Sequence, residues 1–279
     1  MQVNEYLNQE MIRLNTLVCV GLDPIISLIP ISINKYEKLE DRIFDFLKTV
    51  IEVTADHCCA YKIQKAFFDE FDFGLILLKR IVLFIKSECP KKIIIIDCKI
   101  GDVEHTLSAY TKNLFSNIGA DAIVVNPYMG NEIFDCFKKY PEKLFLVLVR
   151  TSNPGAAVIQ DLKLTSGEKL WQFILKILVE KWRDLPNCIP VLSLNDVKQF
   201  AYIRTVIPDS MTIFYAGYGA QGKGITGLNS LINTQGYGLL VNSSRGILYS
   251  NDEKSMDWKN EILKNVTKMK VGLNSIKLN

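Results

Sequence analysis

Short apolar runs alternate with longer segments of helical spacing along the whole chain, and this rhythm constrains the fold more than any other feature. Eight runs rich in Val, Ile and Leu indicate strands at Leu17–Gly21, Cys59–Ile63, Ile93–Lys99, Ala122–Asn126, Leu144–Val149, Ile189–Ser193, Thr212–Ala216 and Tyr237–Asn242. Strands buried on both faces, as in parallel sheets, read as near-continuous apolar runs. Eight βα repeats in 279 residues match the size of a (β/α)8 barrel. We therefore predict an α/β fold of the TIM-barrel type, with an open doubly wound sheet as the alternative.

The segments between these runs have the spacing of amphipathic helices. We predict helices at Tyr36–Ala55, Phe67–Ser87, Glu104–Asn117, Asn131–Tyr140, Gly167–Arg183, Asp196–Val206 and Ser255–Val271. No stretch rich in Pro, Gly or Ser divides the chain, so we expect one domain over residues 1–279. In a barrel of this kind the active site lies at the carboxyl ends of the strands.

Composition excludes several classes of partner. The 33 basic and 30 acidic residues give a net charge of +3, without the basic patch that a nucleic-acid partner requires. The apolar runs are far shorter than the ~20 residues of a membrane span, and the N-terminus lacks the pattern of a signal peptide. The seven cysteines include no CxxC motif, and adjacent His57, Cys58 and Cys59 cannot share one face of a strand. We expect a cytoplasmic protein with no metal, no nucleic-acid partner and no membrane partner.

The stretch IIIIDCKIGDVEHT, residues 93–106, sets charged side chains directly after a very apolar run. Asp97 and Lys99 are two residues apart, so on a regular strand both would point into the barrel mouth. Asp102 follows in the next loop, and Lys62 ends the neighbouring strand. The residues alone leave two interpretations open, a structural ion-pair cluster at the rim or a catalytic group. Polar residues at the ends of most other strands favour the catalytic interpretation.

Two segments after the last strands indicate a phosphate site. GYGAQGKG at 217–224 follows strand seven, and SSRG at 243–246 follows strand eight. Many barrels bind phosphate at this position through backbone N–H groups. Gln221 would add an amide, Ser244 a hydroxyl, and Arg245 a guanidinium suited to two phosphate oxygens. On the opposite wall, Asp23 would accept hydrogen bonds from sugar hydroxyls.

Six motifs together resemble the orotidine 5′-phosphate decarboxylase family, and they cover nearly the whole chain. They are VGLDP at 20–24, YKIQKAFFDEF at 61–71, DCKIGDVEHT at 97–106, TSNPGAAVIQ at 151–160, AGYGAQG at 216–222 and NSSRG at 242–246. D-x-K-x-x-D with Thr four residues on is specific to this superfamily. TSNP with GYGAQG resembles the branch found in some bacteria and in apicomplexan parasites. Ile63 and Ala216 stand where the family usually or often has proline, which puts loop geometry in doubt rather than activity.

The resemblance implies a cofactor-independent lyase that converts orotidine 5′-phosphate to UMP in pyrimidine biosynthesis. It implies that Lys99 protonates carbon six of the pyrimidine, within a charged network completed by Asp97, Asp102 and Lys62. Asp102 and Thr106 match residues that extend into a neighbouring subunit's site, so the resemblance also implies a homodimer with shared active sites.

The resemblance assigns the remaining site residues to parts of the substrate. It places Asp23 on the ribose hydroxyls and Ser152 beside the pyrimidine. Gln221 and Arg245 match the phosphate ligands. The resemblance implies that two further residues line the site, namely Gln64 and Asn126.

Three alternatives stay open at the level of sequence. A magnesium-dependent sugar-phosphate enzyme of the same superfamily shares D-x-K-x-x-D, but TSNP and GYGAQG argue against it. A barrel that only binds nucleotides or partners would be expected to have lost part of the charged set, which is intact here. A generic phosphate-binding isomerase would explain the glycine-rich loops and leave the charges of strand three unexplained.

Overall fold

Eight parallel strands form a closed barrel in the computed structural model, which describes residues 3–33, 36–194, 197–218, 225–249 and 257–278. The strands are β1 Val18–Gly21, β2 Ala60–Gln64, β3 Ile93–Ile100, β4 Ala122–Val125, β5 Leu144–Arg150, β6 Cys188–Leu192, β7 Ile213–Tyr215 and β8 Leu239–Ser243. Each strand pairs with its neighbour in sequence, and β1 pairs with β8 to close the ring. The predicted (β/α)8 barrel is confirmed.

Helices connect the strands on the outside of the barrel. They are α1 Val3–Leu14, α2 Leu39–Thr54, α3 Ala66–Asp69, α4 Gly74–Glu88, α5 Glu104–Lys112, α6 Glu132–Lys138, α7 Ala157–Gln160, α8 Leu170–Trp182, α9 Val197–Val206, α10 Arg245–Leu248 and α11 Trp258–Ser275. The chain continues from α5 into a π-helix at Asn113–Ile118. None of the described helices is both long and apolar enough to cross a membrane.

The core lies within the barrel and between the barrel and its helices. Ile94, Ile95 and Ile96 of β3 are fully buried although successive side chains point to opposite faces, because one face packs in the lumen and the other against helices. Full burial of such a side chain stabilises the fold by about 1.5–3 kcal/mol. The strands are therefore rigid supports for whatever their carboxyl ends carry.

The predicted strand positions are confirmed to within two residues at each end, and the helices less closely. The single helix predicted at Phe67–Ser87 is wrong, since a turn at residues 70–73 separates α3 from α4. At this turn the chain approaches itself closely: a Cβ at Gly74 would lie 1.7 Å from the carbonyl oxygen of Phe68. Helix α1 was not predicted, and its fully buried Leu7 and Met11 belong to the core.

Candidate active site

Strands β1, β2 and β3 bring four charged side chains together at the carboxyl end of the barrel. We call Asp23, Lys62, Asp97 and Lys99 the charged row. Strand register produces it: Gly21 pairs with Lys62, so Asp23 emerges beside the end of β2. On the other side of β2, Gln64 pairs with Asp97. Charges from three separate segments thus reach one volume.

The charges of the row alternate in sign and contact one another. Lys62 Nζ lies 3.2 Å from an oxygen of Asp23 and 3.7 Å from an oxygen of Asp97. Lys99 Nζ donates to the other oxygen of Asp97 over 2.7 Å. Only 6% of the Lys62 side chain is exposed, against 44% for Lys99. Burying a charge is costly unless it is paired, so the inner lysine is fixed between two carboxylates while the outer one faces the open mouth.

Lys99 reaches this position through an irregular backbone. Its φ is +46°, in the left-handed region that side chains with a Cβ rarely adopt. The pairing of β3 with β4 shifts between Ile96 and Ile100, which indicates a bulge. We predicted that Asp97 and Lys99 lie on one face because side chains alternate along a regular strand. The strand is not regular at Lys99, although the two side chains do contact each other. The backbone conformation at the bulge aims Lys99.

Two neighbours support the row. The backbone N–H of Gln64 donates to Asp23 over 3.2 Å, and its side-chain amide donates to Asp97 over 3.3 Å. Cys98 lies between Asp97 and Lys99 in sequence, and its thiol contacts the carbonyl oxygen of Val124 at 3.4 Å. Burial raises the pKa of Cys98 to about 11, so this thiol stays protonated at neutral pH and adds no charge to the row.

Asp102 and Thr106 lie outside the row. In the described part of the chain Asp102 forms no ion pair, and its carboxylate accepts the backbone N–H of Val103 over 2.8 Å. Both Asp102 and Thr106 are half-buried at the start of α5. Within one chain Asp102 is therefore not part of the charged network, and its implied place in a neighbouring subunit's site stays a prediction. The loop after the bulge carries Asp102 away from the other charges.

A hydrogen-bond network fastens the loop that carries Ser152. Arg150, the last residue of β5, donates to Asp161 over 2.9 Å and also to the carbonyl oxygen of Thr151. Gln160 accepts the backbone N–H of Thr151 over 2.8 Å and donates back to its hydroxyl over 2.9 Å. Burial acts to raise the pKa of Asp161, but the hydrogen bond and charge of Arg150 outweigh it and lower that pKa. Ser152 is half-buried in the fastened loop.

The segment after β8 lies directly against β1. A Cβ at Gly21 would lie 1.9 Å from the hydroxyl oxygen of Ser244, so only glycine permits this approach. Ser244 is half-buried and Arg245 is exposed. Residues 219–224, with Gln221, lie outside the described residues.

Asn126 is exposed after β4, where its side chain accepts the backbone N–H of Tyr128 over 3.0 Å.

Sequence reasoning missed the network around Arg150 and also missed Tyr249. The phenol of Tyr249 donates to the carbonyl oxygen of Asp23 over 2.8 Å, a contact between residues 226 positions apart. The arginine at the end of the apolar run LFLVLVR could have indicated the Arg150 network. No sequence pattern around Tyr249 indicates its contact with Asp23.

The row has the chemistry of a site that stabilises and protonates a carbanion. An ammonium beside a reacting carbon stabilises developing negative charge and can deliver a proton. Asp97 holds the ammonium of Lys99 in place, and a carboxylate at this position can face an anionic leaving group. Among the described residues no group of three or more His, Cys, Asp or Glu side chains is placed to hold a metal ion.

Comparisons with known proteins match most of the chain. A family model described as orotidine 5′-phosphate decarboxylase / HUMPS family matches residues 16–256. The chain is 34% identical over 246 residues to the orotidine 5′-phosphate decarboxylase of Bordetella petrii, covering 88% of each protein. It is 33% identical over 247 residues to that of Flavobacterium johnsoniae, again covering 88% of each.

Solved structures give the same family. The chain superposes on the Leishmania donovani OMP decarboxylase with a TM-score of 0.82 at 26% identity, covering 100% of both chains. It superposes on the Leishmania donovani UMP synthase with a TM-score of 0.79 at 27% identity, covering 97% of this chain and 57% of that one. The orotidine 5′-phosphate decarboxylase of Pyrococcus horikoshii, 17% identical with a TM-score of 0.58, shares the fold.

Proposed function

We propose, on the premise that this chain belongs to the orotidine 5′-phosphate decarboxylase / HUMPS family, that it converts orotidine 5′-phosphate to UMP in pyrimidine biosynthesis. The relatives named above carry this activity in their names, and it makes the chain an enzyme of the lyase class. The observation that carries the proposal is the charged row, in which Lys99 is the outermost charge at the mouth. No cofactor takes part in the proposed reaction.

Lys99 is the proposed proton donor. When the bond between carbon six and the carboxylate breaks, its electron pair stays on carbon six and CO2 leaves. The ammonium of Lys99 stabilises that charge and then transfers a proton to the carbon, leaving a neutral amine that water reprotonates. The exposure of 44% of this side chain supports the assignment, since a donor must reach the substrate.

Asp97, Lys62 and Asp23 prepare Lys99 and the substrate. Asp97 holds the ammonium of Lys99 at 2.7 Å and would face the departing carboxylate. Lys62 is clamped at 3.2 Å from Asp23 and 3.7 Å from Asp97, which holds the Asp97 carboxylate in place. Besides its contact with Lys62, the Asp23 carboxylate accepts hydrogen bonds from the ribose hydroxyls. An arrangement fixed before substrate arrives needs little reorganisation during the reaction.

The pyrimidine and the phosphate are assigned to the other half of the mouth. Ser152 lies beside the pyrimidine, in a loop fastened through Arg150. Ser244 and Arg245 bind the phosphate together with Gln221, and Gln64 and Asn126 line the site. A phosphate bound far from the reacting carbon still contributes to the rate, because its binding energy fixes the geometry of the whole complex.

A homodimer with shared sites completes the proposal. Asp102 does not join the charged row of its own chain, and Val103 beside it is exposed. Three more exposed apolar side chains occur on α5 and after β4, namely Tyr110, Tyr128 and Met129. Exposed apolar side chains of this size are the kind that an interface covers. Asp102 and Thr106 would then reach the partner's mouth.

Mixing two inactive variants tests the shared site. Lys99→Ala and Asp102→Asn homodimers are each expected to be nearly inactive. After subunit exchange, hybrid dimers contain one site with both residues intact, so activity returns to about a quarter of the wild-type rate. Sedimentation checks that each variant is dimeric. Failure of exchanged hybrids to regain activity would count against shared sites.

The main test follows conversion of orotidine 5′-phosphate to UMP by the purified chain in EDTA. We expect full activity in EDTA, since the proposed chemistry uses only side chains of the protein. The family description also includes HUMPS, and dependence on Mg²⁺ would favour the magnesium-dependent sugar-phosphate chemistry considered from the sequence. A folded dimer that does not convert the substrate would refute the proposed function.

A further inference from the structure

The phenol of Tyr249 joins the segment after β8 to the segment after β1. Its oxygen accepts the backbone N–H of Ile25 over 2.6 Å and donates to the backbone carbonyl of Asp23 over 2.8 Å. These two groups flank Pro24, which has no N–H of its own. One hydroxyl therefore closes the turn from which the Asp23 carboxylate emerges.

Tyr249 is also attached to the proposed phosphate-binding turn, residues 244–246. It follows α10 directly, and its backbone N–H donates to the carbonyl of Arg245 over 3.3 Å. The same turn touches β1 through Ser244, whose hydroxyl fills the space that a Cβ of Gly21 would occupy. A displacement of the turn would therefore be transmitted to the Asp23 segment through two contacts.

The ring of Tyr249 is held firmly enough to transmit such a displacement. It stacks on Phe46 of α2 with ring centroids 5.8 Å apart and an interplanar angle of 18°. Burial raises the pKa of the phenol, so the hydroxyl keeps its proton at neutral pH and remains a donor to Asp23.

We propose that Tyr249 is a positioning residue that couples occupation of the turn at 244–246 by a phosphate group to the placement of the Asp23 carboxylate. An anion on the turn fixes α10, α10 fixes the phenol, and the phenol fixes Asp23 at 3.2 Å from Lys62. Phosphate binding thereby restrains the inner end of the charged row, whose contacts the fold already makes. This inference rests on the proposed function, because it takes the turn as the phosphate site.

Tyr249→Phe removes the hydroxyl and keeps the stacking ring. We expect kcat/KM for orotidine 5′-phosphate to fall about tenfold. When the variant is combined with Arg245→Ala, the two losses should be less than multiplicative, because the phenol has little to transmit once the phosphate contact is gone. Tyr6→Phe is the matched control, since Tyr6 also donates to a backbone carbonyl, that of Lys91, away from the mouth. A loss within twofold, or fully multiplicative losses, would overturn the inference.

Hydrogen exchange at the Ile25 amide tests the coupling without changing Tyr249. Inorganic phosphate alone should slow exchange of this amide several-fold in the wild type, and the Arg245→Ala variant should lose the effect. If the enzyme turns over orotidine 5′-phosphate but phosphate does not change the exchange rate of the Ile25 amide, the inference about Tyr249 is overturned. The proposed function would still stand. Absence of turnover in the wild type would instead count against the proposed function.

Discussion

The two halves of the barrel mouth differ in how far the folded chain assembles them by itself. On β1, β2 and β3, four charges lie between 2.7 and 3.7 Å from their neighbours in the charged row. On the β8 side, Arg245 is exposed and forms no ion pair with any other described residue. Strand register completes the first half. The second half presents a charge to the solvent, where a ligand can bind it.

The difference fits the two tasks proposed for these halves. Charges that act on the reacting atoms gain from being fixed before the substrate arrives, since reorganisation during the reaction raises the barrier. A charge that binds a remote phosphate has to remain accessible, because its contribution comes from the binding event itself. The following changes test this division, from the largest expected effect to the smallest.

Lys99→Ala should have the largest effect. We expect turnover to fall by about 10⁴-fold or more, because the variant loses the proposed proton donor and its positive charge. Binding of UMP should remain measurable by calorimetry, since the proposed phosphate-binding residues are unchanged. Lys138→Ala, in an exposed pair with Asp135, is the control. Retained turnover would remove Lys99 as the proton donor.

Arg245→Ala should have the next largest effect. A charge-assisted contact to phosphate contributes a few kcal/mol, so kcat/KM should fall by about 10² to 10⁴-fold while the contact of Lys99 with Asp97 remains. Arg183→Ala provides a control at an exposed arginine after α8. An unchanged kcat/KM in steady-state assays would exclude Arg245 from the phosphate site.

Asp161→Asn should have the smallest effect and should appear chiefly in stability. The folded protein lowers the pKa of Asp161 below 3.8, so the ionised carboxylate stabilises the fold at neutral pH and stops doing so as pH falls through the folded pKa. We expect the variant to lose about 1–2 kcal/mol of unfolding free energy at pH 7. The difference from wild type should narrow below about pH 4.

Denaturant unfolding at several pH values measures this effect. The control is Asp135→Asn, whose exposed pair with Lys138 should contribute little. A difference from wild type that is the same at pH 7 and pH 3 would show that the charge of Asp161 is not what stabilises the loop.

The barrel could be predicted from the sequence because strands that are buried on both faces consist almost entirely of apolar residues. The run Ile93–Ile96 is apolar on both faces and becomes β3, with every one of its side chains buried. The charges at its end were predictable for the same reason, since a buried strand carries charge only where it emerges. The break between α3 and α4 was not, because it depends on the close approach of Gly74 to Phe68.

Long-range contacts set the limit of the prediction within the site. The bulge that turns Lys99 arises from the pairing of β3 with β4 and leaves no mark in the alternation of residues. The departure of Asp102 from the charged row follows from the same bulge and loop. The contact of Tyr249 with Asp23 joins distant segments that only the closed barrel brings together.

The positive φ of Lys99 has a consequence for the thermal stability of the protein. At a φ of +46° a residue with a Cβ is strained by about 1–2 kcal/mol, and glycine is not. Lys99→Gly should therefore unfold at a higher temperature than Lys99→Ala, although alanine is normally the more stabilising of the two. Both variants lack the lysine charge, so calorimetry of the pair isolates the backbone. The left-handed conformation of Lys99 thus lowers the stability of the fold.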